Sequence, residues 1–167
     1  MESVVRDCGR AIGGLHIRRM ESRDIEAILS IQGVSPEIAQ WAVWDYERVA
    51  RGEMAGWVAE GAGQDVDHVV EQVIGFLIAR SVGNEVEILN LAVHPEARRQ
   101  GVGSALLEEA VRWSRGLEAK KALLEVRASN VAALQFYERH QFQAIGKRAG
   151  YYRAPLDDAL VLSLNLA

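Results

Sequence analysis

The chain has 167 residues, about one domain's length, and its 49% hydrophobic and 25% charged content sits near the globular average, which argues against a disordered class. Its longest apolar run, Val73 to Ala79, falls far short of the roughly 20 residues a spanning helix needs. A net charge of −4 argues against a nucleic-acid surface, which relies on a basic patch, and leaves room for a cationic amine or a basic partner protein.

Residues 1–13, MESVVRDCGRAIG, scatter Glu2, Arg6, Asp7 and Arg10 and hold no continuous apolar segment, so they read as an unpatterned leader open to disorder rather than a secretory signal. Residues 14–167 are then expected to form a single domain. A cytoplasmic location follows, and the single Cys8, which has no partner for an internal disulfide, fits a reducing compartment. Leu15 to Arg19 is a short strand candidate. Ser22 caps a first helix, with Asp24 in its first turn and Ile25, Ile28 and Leu29 at helical spacing. Pro36 is expected to open a second helix with Ile38, Trp41, Ala42 and Tyr46 on one side, ending near Gly52. Met54 to Glu60, Gln72 to Arg80 and Glu85 to Val93 read as three strands, the last stopped by Pro95. Val102, Ala105, Leu106, Ala110 and Trp113 then trace a helix to about Gly116, Leu123 to Arg127 forms a strand, and Asn130 can cap a helix to His140. Gln143 to Ala149 and Ala159 to Leu166 complete the order β-α-α-β-β-β-α-β-α-β-β. Three strands in succession imply an antiparallel meander, and strand–helix–strand implies a parallel crossover, so a mixed sheet with helices on both faces accommodates both.

The junction HPEARRQGVGSALLEEA, residues 94–110, is the first to carry chemistry. A helix amino terminus offers unpaired N–H groups and partial positive charge, glycines let the backbone approach a ligand closely, and Arg98 and Arg99 add formal charge, which together would suit a diphosphate. A tight strand-to-helix connection with solvated arginines would read the same way. A dinucleotide fingerprint would place a third glycine at Leu106, and a nucleoside-triphosphate loop would need Gly-Lys-Ser/Thr; neither is present. His16, His68, His94 and His140 lie far apart in sequence without metal-ligand spacing, so no metal is expected.

Three stretches, ILNLAVHPEARRQGVGSALLEEA, LLEVRASNVAALQFYERHQF and GYYRAPLDDALVLSLNL, occur in collinear order over about residues 72–166 and resemble the GNAT acyltransferase superfamily. Within it, Leu-Glu-Val-Arg-Ala-Ser-Asn is most similar to bacterial N-terminal alanine acetyltransferases of ribosomal proteins, the RimI type. The resemblance implies an α/β fold with a mixed, mostly antiparallel seven-stranded sheet, helices on both faces, and fourth and fifth strands that splay apart. It also implies acetyl-CoA as co-substrate and a protein amino terminus as acceptor, with no metal, nucleic acid or membrane involved. The diphosphate would rest on Arg98, Arg99, Gln100, Gly101, Val102, Gly103 and Ser104, and the pantetheine arm would pair with the backbone of Leu91, Ala92 and Val93 like an added strand.

Glu125 stands between Leu124 and Val126 in an expected interior strand, where an unpaired carboxylate would be costly. The resemblance makes it the candidate base for an amine that is mostly protonated near neutrality; an ion pair with Arg127 or a solvent-facing position is the structural alternative. Asn130 and Tyr137, seven residues apart, share a helix face. The resemblance makes Tyr137 the proton donor to the departing thiolate and a cofactor contact, and gives Asn130 a cofactor contact beside its capping role. Tyr151 and Tyr152 fall where such relatives bind the acceptor peptide, and Asn90, a polar break beside Ile88 and Ala92, would turn toward substrate. Trp41 and Trp44 are candidates for the opposite wall, Trp41 also fitting the core. Where relatives read Leu-Gly-Phe after the tyrosine helix, this chain has His140-Gln141-Phe142, so that helix must end without glycine. A GNAT enzyme for a small amine such as a polyamine or aminoglycoside, and a non-catalytic acyl-CoA-binding domain, are the alternatives the same residues admit.

Overall fold

The computed structural model describes residues 10–12, 14–64 and 69–167; Cys8 and His68 lie outside them. Among the described residues eight strands form one sheet: β1 (Arg10–Ile12), β2 (Leu15–Arg19), β3 (Ala55–Gln64), β4 (Val69–Val82), β5 (Glu85–Val93), β6 (Lys121–Arg127), β7 (Gln143–Arg153) and β8 (Leu156–Asn165). Their spatial order is β1-β2-β3-β4-β5-β6-β8-β7, antiparallel throughout except for the parallel pair β5–β6. Four helices are α1 (Ile25–Gly33), α2 (Val43–Ala50), α3 (Val102–Gly116) and α4 (Val131–Arg139). The seven expected strands are present in the expected order. The addition is β1, which pairs Arg10 with Ile17 and Ile12 with Leu15; backbone pairing at a sheet edge needs no apolar alternation, so the expected leader concealed it.

Two apolar layers sandwich the sheet. On one face α3 and α4 pack Leu106, Ala110 and Tyr137 against Leu77, Val86, Leu124 and Leu162. On the other, α1 and α2 pack Ile28, Ile31, Tyr46 and Val49 against Val58, Phe76 and Ile78. Fully buried side chains of this size each contribute about 1.5–3 kcal/mol, so the two layers hold the sheet rigid from both sides. At Gly75 a β-carbon would stand 3.0 Å from the Ala92 carbonyl and 3.1 Å from Val102, so glycine is what lets α3 lie this close to β4. At the far edge Arg18 bridges Asp24 at 2.8 Å and the Glu60 carboxylate, tying β2 and β3 to the start of α1.

The second helix departs from expectation. Residues 36–42 are not helical, and α2 begins at Val43. Gln32 on α1 explains why: its amide donates to the Trp41 carbonyl at 2.9 Å and its side-chain oxygen accepts from the Trp41 N–H at 2.8 Å, fixing that peptide unit outside any helix. Asp45 then accepts from the Ala42 N–H at 3.1 Å and opens α2. The first helix also starts differently: Glu21, rather than Ser22, precedes a single 3-10 turn (Ser22–Asp24), and Asp24 accepts from the Glu21 N–H at 2.8 Å. The end of α4 follows the sequence reading, with Gln141 taking a left-handed φ of 66° where a glycine is absent.

Candidate active site

The parallel pairing of β5 with β6 runs only from Glu85–Lys121 to Ile88–Leu124. Beyond that rung the strands part, although β5 continues to Val93 and β6 to Arg127. A bulge on the other side of β5 sets the direction. Ile78 pairs with Asn90 and Ala79 with Ile88, leaving Leu89 as an extra residue. The extra residue reverses the side-chain phase, so Ile88 packs with the α3 layer while Ala92 packs with the α1 and α2 layer. A cleft of about 750 Å³ opens at the divergence, within the range of ligand pockets, and both Glu125 and Tyr137 line it.

One end of this opening is the start of α3. Gly101 precedes the helix at φ 83°, a left-handed conformation in which a β-carbon is penalised, and no side chain caps the helix. Its first amides are therefore available to a ligand. By contrast α4 is capped by Asn130, whose side-chain oxygen accepts from the Ala133 N–H at 3.1 Å. Arg99 and Gln100 are exposed beside Gly101, and Ser104 in the first turn has its hydroxyl 2.9 Å from His140 Nε2. Burial holds the His140 imidazole below its ordinary pKa, with Arg139 adding to the effect and Glu108 opposing it. Arg98 is engaged elsewhere: it donates to the Val93 carbonyl at 3.0 Å, to the Ser35 hydroxyl at 3.2 Å and to Glu37 at 2.9 Å. It braces the end of β5 against the loop before α2 instead of reaching over the α3 amides. The uncapped amides between Gln100 and Ser104, the exposed Arg99 and the free β6-facing edge of β5 fit a diphosphate carrier with an extended arm.

The alternation of β6 puts Ala122, Leu124 and Val126 in the α3–α4 layer, so Glu125 and Arg127 point to the opposite side of the sheet. Glu125 is paired with Arg148 of β7 at 3.1 Å, and not with Arg127. It also accepts a hydrogen bond from Tyr151, which raises the Tyr151 phenol's pKa, the negative charge of Glu125 and partial burial adding to it. From the other side comes Tyr137, 8% exposed, its ring edge-on to Phe136 at 5.1 Å and to Phe142 at 5.6 Å. Burial, with a smaller contribution from Tyr152, pushes its phenol well above the usual range, so it keeps its proton at neutral pH. Tyr151 and Tyr152 stand edge to face at 5.2 Å on the wall of the cleft.

The facing wall is the 36–42 loop. Asn90 lines the cleft, but its amide donates to the Ala39 carbonyl at 3.0 Å, so it holds this loop instead of presenting a free polar group to substrate. Trp41 lines the cleft and lies 5.5 Å from Tyr46, while Trp44 is 60% exposed and faces solvent. Sequence reasoning missed Gln32, Glu37 and Arg148. A glutamine on the apolar face of α1 was the visible signal for Gln32; Glu37 and Arg148 meet their partners only through the fold. Among the described residues no group of three His, Cys, Asp or Glu side chains gathers as a metal would require.

Comparison with known proteins places residues 17–142 under the model of the acetyltransferase (GNAT) family. The [ribosomal protein bS18]-alanine N-acetyltransferase of Escherichia coli K12 is 35% identical over 98 residues, covering 58% of this chain and 66% of that protein, just under two thirds of its length. The crystal structure of the ribosomal-protein-S18-alanine N-acetyltransferase from E. coli superposes with a TM-score of 0.75 at 26% identity, covering 92% of this chain and 94% of that one. Arabidopsis thaliana NAA60 in complex with acetyl-CoA superposes with a TM-score of 0.80 at 22% identity, over 90% and 98% of the two chains, a likeness of fold.

Proposed function

The chain belongs to the GNAT acetyltransferase family, and we propose that it transfers the acetyl group of acetyl-CoA to the α-amino group of a protein in the cytoplasm, most closely the alanine terminus of a ribosomal protein. One observation carries the reading: the β5–β6 gap beyond Ile88 and Leu124 is lined by a carboxylate from one face of the sheet and a buried, protonated phenol from the other. Acetyl-CoA supplies an activated acyl carbon as a thioester. The amides from Gln100 to Ser104, with Arg99, hold its diphosphate, and the β6-facing backbone of Leu91 to Val93 aligns its arm.

The acceptor lies between the 36–42 loop and the tyrosines of β7. An α-amine, with a pKa of about 7.7–8.0, must lose a proton before it attacks, and Glu125 draws that proton away directly or through water. The carbon–nitrogen bond forms, the carbon–sulfur bond breaks, and Tyr137 protonates the departing thiolate. Holding both reactants at once removes the need for a nucleophilic side chain.

Acetyl-CoA incubated with peptides that differ in their first residue, with lysine-bearing and small-amine controls, tests the assignment by locating the acetyl group in a mass spectrum. Acetylation of free alanine or serine termini is the expected result. Transfer to small amines alone would replace a protein acceptor by a polyamine-like one, and absence of transfer despite binding would leave an acyl-CoA-binding domain. Glu125→Gln is expected to lower kcat/KM by about ten- to a hundredfold, most at acidic pH where the amine holds its proton hardest. An unaltered pH–rate profile would remove Glu125 from the reaction.

A further inference from the structure

The strand that carries Tyr151 and Tyr152 has little apolar anchorage: from Gln143 to Arg153 only Gly150 and Tyr152 are even partly buried. The contacts that tie it to the cleft are polar: beside the Arg148–Glu125 pair, three consecutive residues at the end of β6 hold its tip. Arg127 donates to the Pro155 carbonyl at 3.0 Å and to the Ala154 carbonyl at 3.3 Å, and its guanidinium carbon stands 4.1 Å from the centroid of the Tyr152 ring. The Ala128 N–H donates to the Asp158 carbonyl at 2.9 Å, and the Ser129 hydroxyl to Asp157 at 2.6 Å.

Arg127 is thus the member of this group that touches a ring in the cleft as well as the hairpin backbone. A guanidinium is planar and forked, so it can bond two adjacent carbonyls while lying over an aromatic face; an ammonium supplies the charge without the fork. Tyr152, so fixed, supports Tyr151 edge-on, and Tyr151 bonds Glu125. The tyrosine wall, the candidate base and Arg127 therefore form one connected series, and its outer end is the stack.

We propose that Arg127 is a positioning residue for the acceptor: by stacking on Tyr152 and bonding the 154–155 carbonyls it sets the wall against which the acceptor's first residues lie. The inference rests on the reading of this cleft as a peptide-acetylating site. It separates the two binding events, because Arg127 meets the acceptor wall and has no contact with the α3 amides.

The test measures the KM of an alanine-first peptide, the Kd of acetyl-CoA by calorimetry, and amide hydrogen exchange over residues 148–156, in Arg127→Ala, Arg127→Lys, Tyr152→Ala, the Arg127→Ala/Tyr152→Ala double variant and Ser129→Ala. Both Arg127 variants are expected to raise peptide KM about tenfold, the range of a lost cation–π stack, with acetyl-CoA Kd within about twofold of the parent. The double variant should lose no more than Tyr152→Ala alone, and hairpin amides should exchange faster in Arg127→Lys. Ser129→Ala loosens the hairpin but keeps the stack, so it should lower thermal stability with less than about a twofold change in KM.

A parental KM in Arg127→Lys would show that charge alone suffices and overturn the inference, as would additive losses in the double variant or a Ser129→Ala penalty equal to that of Arg127→Ala. Should the parent acetylate no peptide, the acceptor reading fails on that count, and unchanged hairpin exchange in Arg127→Lys would separately reject the positioning role.

Discussion

The two flanks of the β5–β6 gap are built by opposite means. The α3 flank is shaped by backbone conformation and apolar packing: a left-handed Gly101, an uncapped first turn and a helix pressed onto β4 at Gly75. The flank formed by the 36–42 loop and the β7–β8 hairpin is shaped by side chains bonding to distant backbone: Gln32 on Trp41, Asn90 on Ala39, Arg127 on Ala154 and Pro155. Backbone geometry of the first kind does not depend on which apolar side chains fill the core. Hydrogen bonds of the second kind contribute about 1 kcal/mol each and can be exchanged singly. A protein so divided can keep one ligand while its choice of the other is retuned.

The sharpest challenge to this division is Tyr137, which stands where the flanks meet. Tyr137→Phe is expected to lower kcat by about a hundred- to a thousandfold with acetyl-CoA Kd and peptide KM within about twofold of the parent. A parallel fall in cofactor affinity, read by calorimetry, would make Tyr137 part of the α3 flank and deny it the acid role. Gly101→Ala comes next. An L-residue at φ 83° costs about 1–2 kcal/mol, so acetyl-CoA Kd should rise by about tenfold while peptide KM at saturating acetyl-CoA stays put. Equal changes in both constants would dissolve the distinction between the flanks.

Asn90→Ala probes the other side, leaving the Ala39 carbonyl without its donor. Peptide KM should rise about fivefold and acetyl-CoA Kd should not move. The smallest effect belongs to His140. Because burial depresses its folded pKa, the stability it protects is present above its unfolded value, about 6.5, and is lost as pH falls through the folded value. His140→Leu should flatten the acid side of the melting-temperature profile between about pH 7.5 and pH 5 by about 1–2 °C. A profile as steep as the parent's would assign the acid loss in this window to groups other than His140.

The same division explains what the sequence made readable. Helix α3 could be placed closely because Val102, Leu106 and Ala110 repeat on one face and Gly101 marks its start; strand β5 was bounded by Pro95. Asn130 declared its cap, and the antiparallel meander and the parallel crossover followed from the succession of elements, whereas the insertion of β8 between β6 and β7 did not. The 36–42 segment was misread as helix because Pro36, Ile38 and Trp41 satisfy helical spacing, and only a bond from Gln32, nine residues before Trp41, overrules it. The hairpin tethers and the Glu125–Arg148 pair were invisible for the same reason: each joins residues more than twenty positions apart. Asn90 was identified as a polar break, yet its partner in space could not be named from a strand pattern that conceals a bulge.

That bulge leaves strand β5 with one residue it can lose. Removing Leu89 would make Ile88 and Asn90 consecutive and on opposite faces, as they already are, so the Asn90 amide would still reach the Ala39 carbonyl and Leu91 would stay in the α3 layer. A residue gained where pairing is regular has no such slack and would turn the later side chains over, whereas two gained together preserve parity. Functional variants should therefore tolerate the loss of Leu89, whereas gains of length in this segment should come in pairs.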